Sequence, residues 1–312
     1  MPALLALVVV TAVWGVTFVQ VKDAVELYPL FAFLAVRFAI AAVALAVPSA
    51  GRLRTLGRRG WGAGVVLGLL LAAGYALQTA GLERTTVSSA GFITGLYVVF
   101  TPILALLLFR SHVAAVVWIG VALAVLGLGL LSGVGVGEPF GDLLVLAASA
   151  VYSLQIVLME RYAPRHDAIA FTQAEMLAAF VGFAVVTVAA GQVELPRGAT
   201  VWGALLVTGV FASALGFLVQ TWAQRRTSAT RTALAFAMEP VWAGIFGFWL
   251  AGDRLGAVGW GGCALIMAGI VVAEPEAART LRRFVGLGGA SERDPRQKLA
   301  DDAVADERGH VG

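Results

Sequence analysis

Charge is scarce in this chain. Asp, Glu, Lys and Arg make up 13% of its 312 residues, while apolar residues make up 60%. A water-soluble domain carries roughly 25% charged and about 45–50% apolar residues, so this composition excludes an ordinary soluble fold. Cysteine is almost absent. The single one, Cys263, sits in an apolar stretch and excludes an internal disulfide. The three histidines, His112, His166 and His310, lie far apart in loops and tail, so no metal-ligand spacing exists and no metal or other cofactor is expected. Glycine-rich phosphate motifs are missing as well. Gly133-Val-Gly-Val-Gly137 has neither the spacing nor the preceding strand that a nucleotide loop requires.

Long apolar runs are present. A helix crosses a bilayer in about 20 residues, and ten runs approach or exceed that length: 3–21, 28–48, 61–81, 87–109, 113–132, 139–159, 168–190, 200–221, 229–251 and 255–274. The fold class expected is an all-α membrane protein of ten transmembrane helices. The pI near 9.3 could suggest nucleic acid. The arginines cluster at the ends of the apolar runs rather than on one face, however, so no nucleic-acid partner is expected and the lipid bilayer is. With the N-terminus cytoplasmic, twelve Lys/Arg flank the inner ends of the spans, from Arg52, Arg54, Arg58 and Arg59 through to Arg282 and Arg283. Four (Lys22, Arg84, Arg197 and Arg254) flank the outer ends. By the positive-inside rule both termini are cytoplasmic. Residues 1–14 lack a basic leader and read as part of the first span, not a cleaved signal.

The chain is also written twice. Thr79, Arg84 and Thr85 recur as Thr221, Arg226 and Thr227, and Trp118, Gly120 and Gly127 as Trp260, Gly262 and Gly269, all 142 positions on. Nearer the N-terminus the offset is 138, pairing Ala12-Val13 with Ala150-Val151, Ala32-Phe33 with Ala170-Phe171, and Pro102 with Pro240. Five spans per half is an odd number, so the second half enters the membrane upside down. The expected organisation is a first repeat over 3–132 and a second over 139–274, followed by a disordered cytoplasmic tail over 275–312, where mixed charge leaves nothing to bury. Gly60, Gly64 and Gly68 in the third span and Gly262 and Gly269 in the tenth offer small faces for close helix contact. They serve packing within the chain or, alternatively, a homodimer through the fifth and tenth spans.

Trp14-Gly-Val-Thr-Phe18, Arg37-Phe38, Ala90-Gly-Phe-Ile-Thr-Gly-Leu-Tyr-Val-Val-Phe-Thr-Pro102, Glu239-Pro-Val241, Leu250-Ala-Gly-Asp-Arg-Leu255 and Trp260-Gly-Gly262, in that order, resemble the EamA-type members of the drug/metabolite transporter superfamily. The resemblance covers residues 3–274 and departs at Asp253, where the pattern usually has Glu. It implies a secondary transporter of the inner membrane, often an exporter of amino acids or other small metabolites. It also implies a central cavity lined by spans 1–4 and 6–9, with spans 5 and 10 peripheral. Two other classes stand against transport: an intramembrane enzyme acting on lipid, and a non-transporting scaffold. No nucleophile, base or metal set favours an enzyme, and charged, proline-broken helices have no purpose in a scaffold.

Polar residues inside the apolar runs are the candidate site. Pro102 and Pro240 cannot donate to the carbonyls of Val98 and Phe236, so each should break its span where a cavity or a neighbouring helix satisfies the freed group. Glu239 adjoins the second break. A charge at bilayer centre costs on the order of 2.5–3.5 kcal/mol, so Glu239 should face protein or water. It either binds a substrate amine or a coupling proton, or braces freed carbonyls. Arg37 and Glu175, 138 apart, occupy matched places and could meet or face one cavity from two walls. Trp14, Thr17 and Gln20, then Tyr75 and Gln78, Thr94 and Tyr97, and Tyr152 and Gln155 complete an aromatic and hydrogen-bonding lining suited to a small-molecule substrate.

Overall fold

A computed structural model describes residues 2–85, 87–111, 113–132, 138–246 and 256–273. The glycine-rich joint, the Asp253 loop and the charged tail lie outside them. Every regular element among the described residues is helical. In order they are α1 (Pro2–Leu27), α2 (Leu30–Ser49), α3 (Gly57–Leu82), α4 (Val87–Gly95), α5 (Tyr97–Phe109), α6 (Ala115–Ser132), α7 (Pro139–Tyr162), α8 (Ala168–Ala189) and α9 (Ala199–Leu206). A π-helical segment (Val207–Leu215) follows, then α10 (Gly216–Gln224), α11 (Ala229–Phe236), α12 (Glu239–Phe246) and α13 (Ala257–Ala273). Seven stretches are long and apolar enough to cross a membrane, and Ala115–Leu130 and Ala257–Ala273 are shorter apolar helices. Their outer surface is greasy: Val43, Leu107 and Val185 are more than three-fifths exposed. Such a surface is stable only against lipid. The chain is a multi-pass membrane protein.

Local signals set the helix ends. Pro139 opens α7, where its missing N–H costs nothing. Asp167 caps α8 by accepting from the Ala170 N–H at 3.0 Å. Ser228 caps α11, and Glu160 of α7 accepts the Ala229 N–H at 2.9 Å, satisfying a second orphan donor there. Arg110 ends α5 with a left-handed φ of 50°, and Ser111 N–H then closes back on the Ala105 carbonyl.

The two ends of the spans are held by separate sets of contacts. At one end Arg52 pairs with Asp167 at 3.1 Å, and Arg161 lies over the Phe109 ring. At the other, the Tyr28 hydroxyl donates to the Glu194 carbonyl at 2.6 Å. There too Lys22 donates to the Thr85 carbonyl at 3.4 Å, and Thr85 bonds Asp142. The first face carries the arginines of residues 52–59, 110, 161, 165, 225 and 226, with Glu160 and Asp167; the second carries Asp23, Glu26, Glu83, Glu138, Asp142 and Glu194, with Lys22, Arg84 and Arg197, and is acidic on balance.

On the arginine face His166 stacks on Phe171 at 5.1 Å, beside Gly60. Burial, then the neighbouring Arg165, push the imidazole below its ordinary value. The folded loop therefore favours neutral His166, and its packing is complete above the free histidine value of about 6.5 and weakens as pH falls below it. Protection factors for amide exchange over residues 163–171, corrected for the intrinsic pH dependence of exchange, should fall between about pH 7 and pH 5. His166→Gln should make those protection factors independent of pH.

Helix packing brings distant parts of the sequence together. α3 lies between α7 and α8, α2 packs on α8 and the π segment, and α5 packs on α7 and α11. α1 contacts α10, α11 and α12, while α6 packs chiefly on α13. Phe33 and Phe38 of α2 and Phe183 of α8 are fully buried in one cluster, and Phe171 of α8 is fully buried in another with Leu67 of α3 and Met159 of α7. The glycines of α3 are used within the chain: Gly60 faces His166, Gly64 faces Ala174, and Gly68 faces the Glu175 backbone. Gly120 lies against Gly269 and Gly127 against Gly262, so the small faces of α6 and α13 cover each other.

Candidate functional site

Two helices are interrupted inside the bundle. α4 gives way to α5 at Leu96, where hydrogen bonds tighten to the third residue: Leu96 N–H to Ile93 and Val99 N–H to Leu96. Carbonyls beside the break are met by hydroxyls of α7. Ser149 donates to the Thr94 carbonyl at 3.0 Å, and the Ser153 hydroxyl lies 3.4 Å from the Tyr97 carbonyl, although its shorter bond, at 2.9 Å, is to the Ser149 carbonyl of its own helix. α11 gives way to α12 at Ala237–Met238. Pro240 therefore stands just past its break, as expected. Pro102 does not mark its own, because it lies inside α5, six residues beyond Leu96. The first interruption follows Gly95, which packs on Leu128, rather than the proline.

Between these breaks lies a cavity. Ten of the fourteen residues expected at the site line it: Trp14, Thr17, Arg37, Tyr75, Gln78, Thr94, Tyr97, Tyr152, Gln155 and Glu239. The other four, Gln20, Pro102, Glu175 and Pro240, do not. Gln20 has a buried amide oxygen without a partner. Glu175 is fully buried outside the cavity.

The lining is organised into hydrogen-bonded groups. The Tyr152 hydroxyl donates to Gln78 Oε1 at 3.1 Å, and Gln78 Nε2 to Thr94 Oγ1 at 3.0 Å. Arg37 Nε donates to Ser213 Oγ at 2.9 Å and Nη2 to the Tyr75 hydroxyl at 3.1 Å. Its guanidinium carbon lies 4.5 Å from the Tyr75 ring centroid. The Trp14 indole donates to the Ala212 carbonyl at 2.8 Å and meets Phe236 edge-on at 4.8 Å. The Tyr97 hydroxyl is buried beside the Glu239 carboxyl.

The cavity is unequal at its two ends. Along α1 and α3 the lining reaches Val21 and Leu82, next to Lys22 and close to Arg84 on the acidic face. Toward the arginine face it is floored by a chain of amides. Gln220 Nε2 donates to Gln155 Oε1 at 3.0 Å and to Gln224 Oε1 at 2.9 Å, and Gln224 Nε2 to the Ile156 carbonyl at 2.8 Å. Gln155 Nε2 in turn donates to Glu175 Oε1 at 2.7 Å. No group of His, Cys, Asp and Glu among the described residues could hold a metal.

The EamA-like transporter family matches residues 1–133 and again 139–273. The chain belongs to that family. An uncharacterized transporter of Archaeoglobus fulgidus is 31% identical over 273 residues, 86% of this chain and 84% of that one. The uncharacterized transporter YyaM of Bacillus subtilis is 26% identical over 221 residues, 67% and 72% of the two chains. A crystal structure 17% identical in sequence superimposes with a TM-score of 0.73 over 89% of this chain and 97% of that one, a likeness of fold alone.

Within this EamA-like transporter Arg37 and Glu175 neither meet nor face one cavity from two walls: Arg37 lines the cavity and Glu175 does not. Arg37 turns to Ser213 and Tyr75, and Glu175 to Gln155, so among the described residues the two share no ion pair. Their matched places put them at equal depth, but side-chain direction is set by different neighbours. Losses from Arg37→Gln and Glu175→Gln should therefore add, within about 0.5 kcal/mol, in a double-mutant cycle of thermal stability. Rescue of one by the other would restore the pair. Phe18, Thr79, Phe217, Gln220 and Phe236 also line the cavity without having been expected. Gln220 was within reach of sequence reasoning, since it lies 142 residues beyond Gln78.

Proposed function

We propose that this chain is a secondary transporter of the cell's inner membrane that exports amino acids or other small metabolites by alternating access, coupled to protons. Ten spans form two inverted five-helix repeats, over 3–132 and 139–274, with both termini in the cytoplasm. The observation that carries the reading is the cavity between two broken helices, with Arg37 and Glu239 contributed by separate elements among aromatic rings. Broken helices around a buried polar site are the construction by which transporters hold a solute within the membrane. A carboxylate for an amine, a guanidinium for an acid group and apolar rings for the body suit a small zwitterion.

Reciprocal contacts support the repeats. Gly120 faces Gly269 while its counterpart Gly262 faces Gly127, and Gly74 lies against Tyr152 while Gly216 lies against Trp14. Contacts that exchange partners in this way are what a two-fold axis generates. The double match to one family points the same way. With the arginine face cytoplasmic, the amide floor closes the inner side and the cavity approaches the outer face.

Two measurements test this. Reporter fusions after Gly51 and Arg165 should report cytoplasm and those after Lys22, Glu138 and Arg197 the outside; a periplasmic signal in the 52–59 loop overturns the orientation. Cells overproducing the chain, preloaded with a panel of radiolabelled amino acids, nucleosides and organic cations, should lose at least one solute faster than controls. Loss should stop when the proton gradient is collapsed. Failure to move any of them, with turnover of a lipid instead, would replace the transporter by an enzyme.

A further inference from the structure

The π segment has no counterpart in α3, and glycine contacts measure the difference. A Cβ at Gly68 would strike the Glu175 carbonyl and the Ala178 side chain; one at Gly209 would strike the Arg37 carbonyl and the Ile40 side chain. Glu175 and Ala178 lie 138 residues beyond Arg37 and Ile40. Likewise Gly74 abuts the Tyr152 ring and Gly216 the Trp14 ring, again 138 apart. The same two contacts are thus made twice. Between them, Gly68 to Gly74 is six steps along the chain, and Gly209 to Gly216 is seven. α3 runs through as α-helix, whereas Val207–Leu215 is π-helix. One residue too many inside a helix, with both ends pinned, is accommodated by a π turn.

We propose that this surplus residue is a positioning insert for the cavity, presenting the Ala212 carbonyl to the Trp14 indole and the Ser213 hydroxyl to Arg37, and so orienting Arg37 to receive a carboxylate. The proposal rests on the solute-binding reading above and names the chemistry of one end of the solute. In the π segment the Gly216 N–H reaches back to the Phe211 carbonyl, so the Ala212 carbonyl does not receive that bond and accepts from Trp14 at 2.8 Å. Ser213 accepts from Arg37 Nε at 2.9 Å. The stretch of α3 between its two glycines is Leu69-Leu-Leu-Ala-Ala73, with no hydroxyl to offer. Arg37 is 2% exposed yet lines the cavity. A guanidinium has five N–H donors in a fixed fork, and the two bonds to Ser213 and Tyr75 fix its plane with donors to spare. Such a fork matches a carboxylate bidentately.

The test uses the purified full chain in detergent. Backbone hydrogen exchange over 207–216 should be faster than over 65–74, and deletion of Phe211, a half-exposed residue away from the cavity, should remove the difference. Trp14 emission, isolated by subtracting the Trp14→Phe spectrum, should shift blue in the deletion. Binding is followed by fluorescence with L-phenylalanine, 3-phenylpropionate and phenethylamine. Both carboxylates should bind roughly tenfold more tightly than the amine, the scale of one charged hydrogen bond. Ser213→Ala should erase that preference and Ser213→Thr restore it. Equal exchange in the two segments, or an undiminished preference in Ser213→Ala, overturns the insert. Should none of the three probes bind, the carboxylate assigned to one end of the solute fails, the efflux panel still decides the solute reading, and exchange and Trp14 emission decide the insert by themselves.

Discussion

Glu239→Gln is expected to leave the protein folded and abundant in the membrane while abolishing coupled transport. The amide keeps the size and hydrogen-bonding reach of the carboxyl and loses only its titratable charge. Three features set Glu239 apart. It opens α12 directly after the Ala237–Met238 break, where unpaired N–H groups and the helix dipole favour a carboxylate. It lines the cavity, and its carboxyl lies beside the buried Tyr97 hydroxyl. Glu175, by contrast, is sealed off and held by Gln155. The measurement is proton-driven efflux from vesicles, normalised to membrane level, across pH. Wild-type efflux with an unchanged pH profile in Glu239→Gln would reduce the residue to a brace for the broken helix.

Gly68→Leu should remove folded protein altogether. Its Cβ would land on the Glu175 backbone carbonyl, and neither helix can yield without dragging its neighbours. Overpacking costs about 1–3 kcal/mol where side chains can move, and more where the obstacle is backbone. Gly62, in the same helix, is the control, since a Cβ there meets nothing within 4 Å. Membrane abundance and a single symmetric elution peak should be kept in Gly62→Leu and lost in Gly68→Leu. Normal behaviour of Gly68→Leu would mean that α3 and α8 are not in backbone contact.

Hydropathy made the helical stretches legible because the lipid requirement is crude, a length of apolar residues with their backbone bonds closed internally. The recurring residues carried further. Matching Trp14 to Tyr152 pointed to two aromatic residues that do line one cavity, and the same comparison would have reached Gln220 from Gln78. What stayed hidden depends on rotation about a helix axis or on single hydrogen bonds. Arg37 and Glu175 stand at matched places, yet Ser213 and Gln155 decide where they point. Pro102 is the stronger breaker by composition, but the interruption falls at Leu96, where Ser149 of α7 satisfies the Thr94 carbonyl. The π segment leaves no compositional trace at all. It emerges only when the spacing between glycine contacts is counted in both halves.

The α6–α13 pair has a practical consequence. Its contact is backbone against backbone at two levels, Gly120 on the Gly269 carbonyl and Gly127 on the Gly262 carbonyl, with the buried Ile266 side chain packed beside the second. An interface pinned by backbone at two levels has little room to slide, so it is poorly suited to serve as a valve. It can serve as a fixed origin. Spin labels at Leu126 and Met267, both exposed on the outer surface of this pair, would keep one separation whatever the rest of the bundle does. Distances from that origin to labels on α3 or α11 would then read displacement of those helices alone.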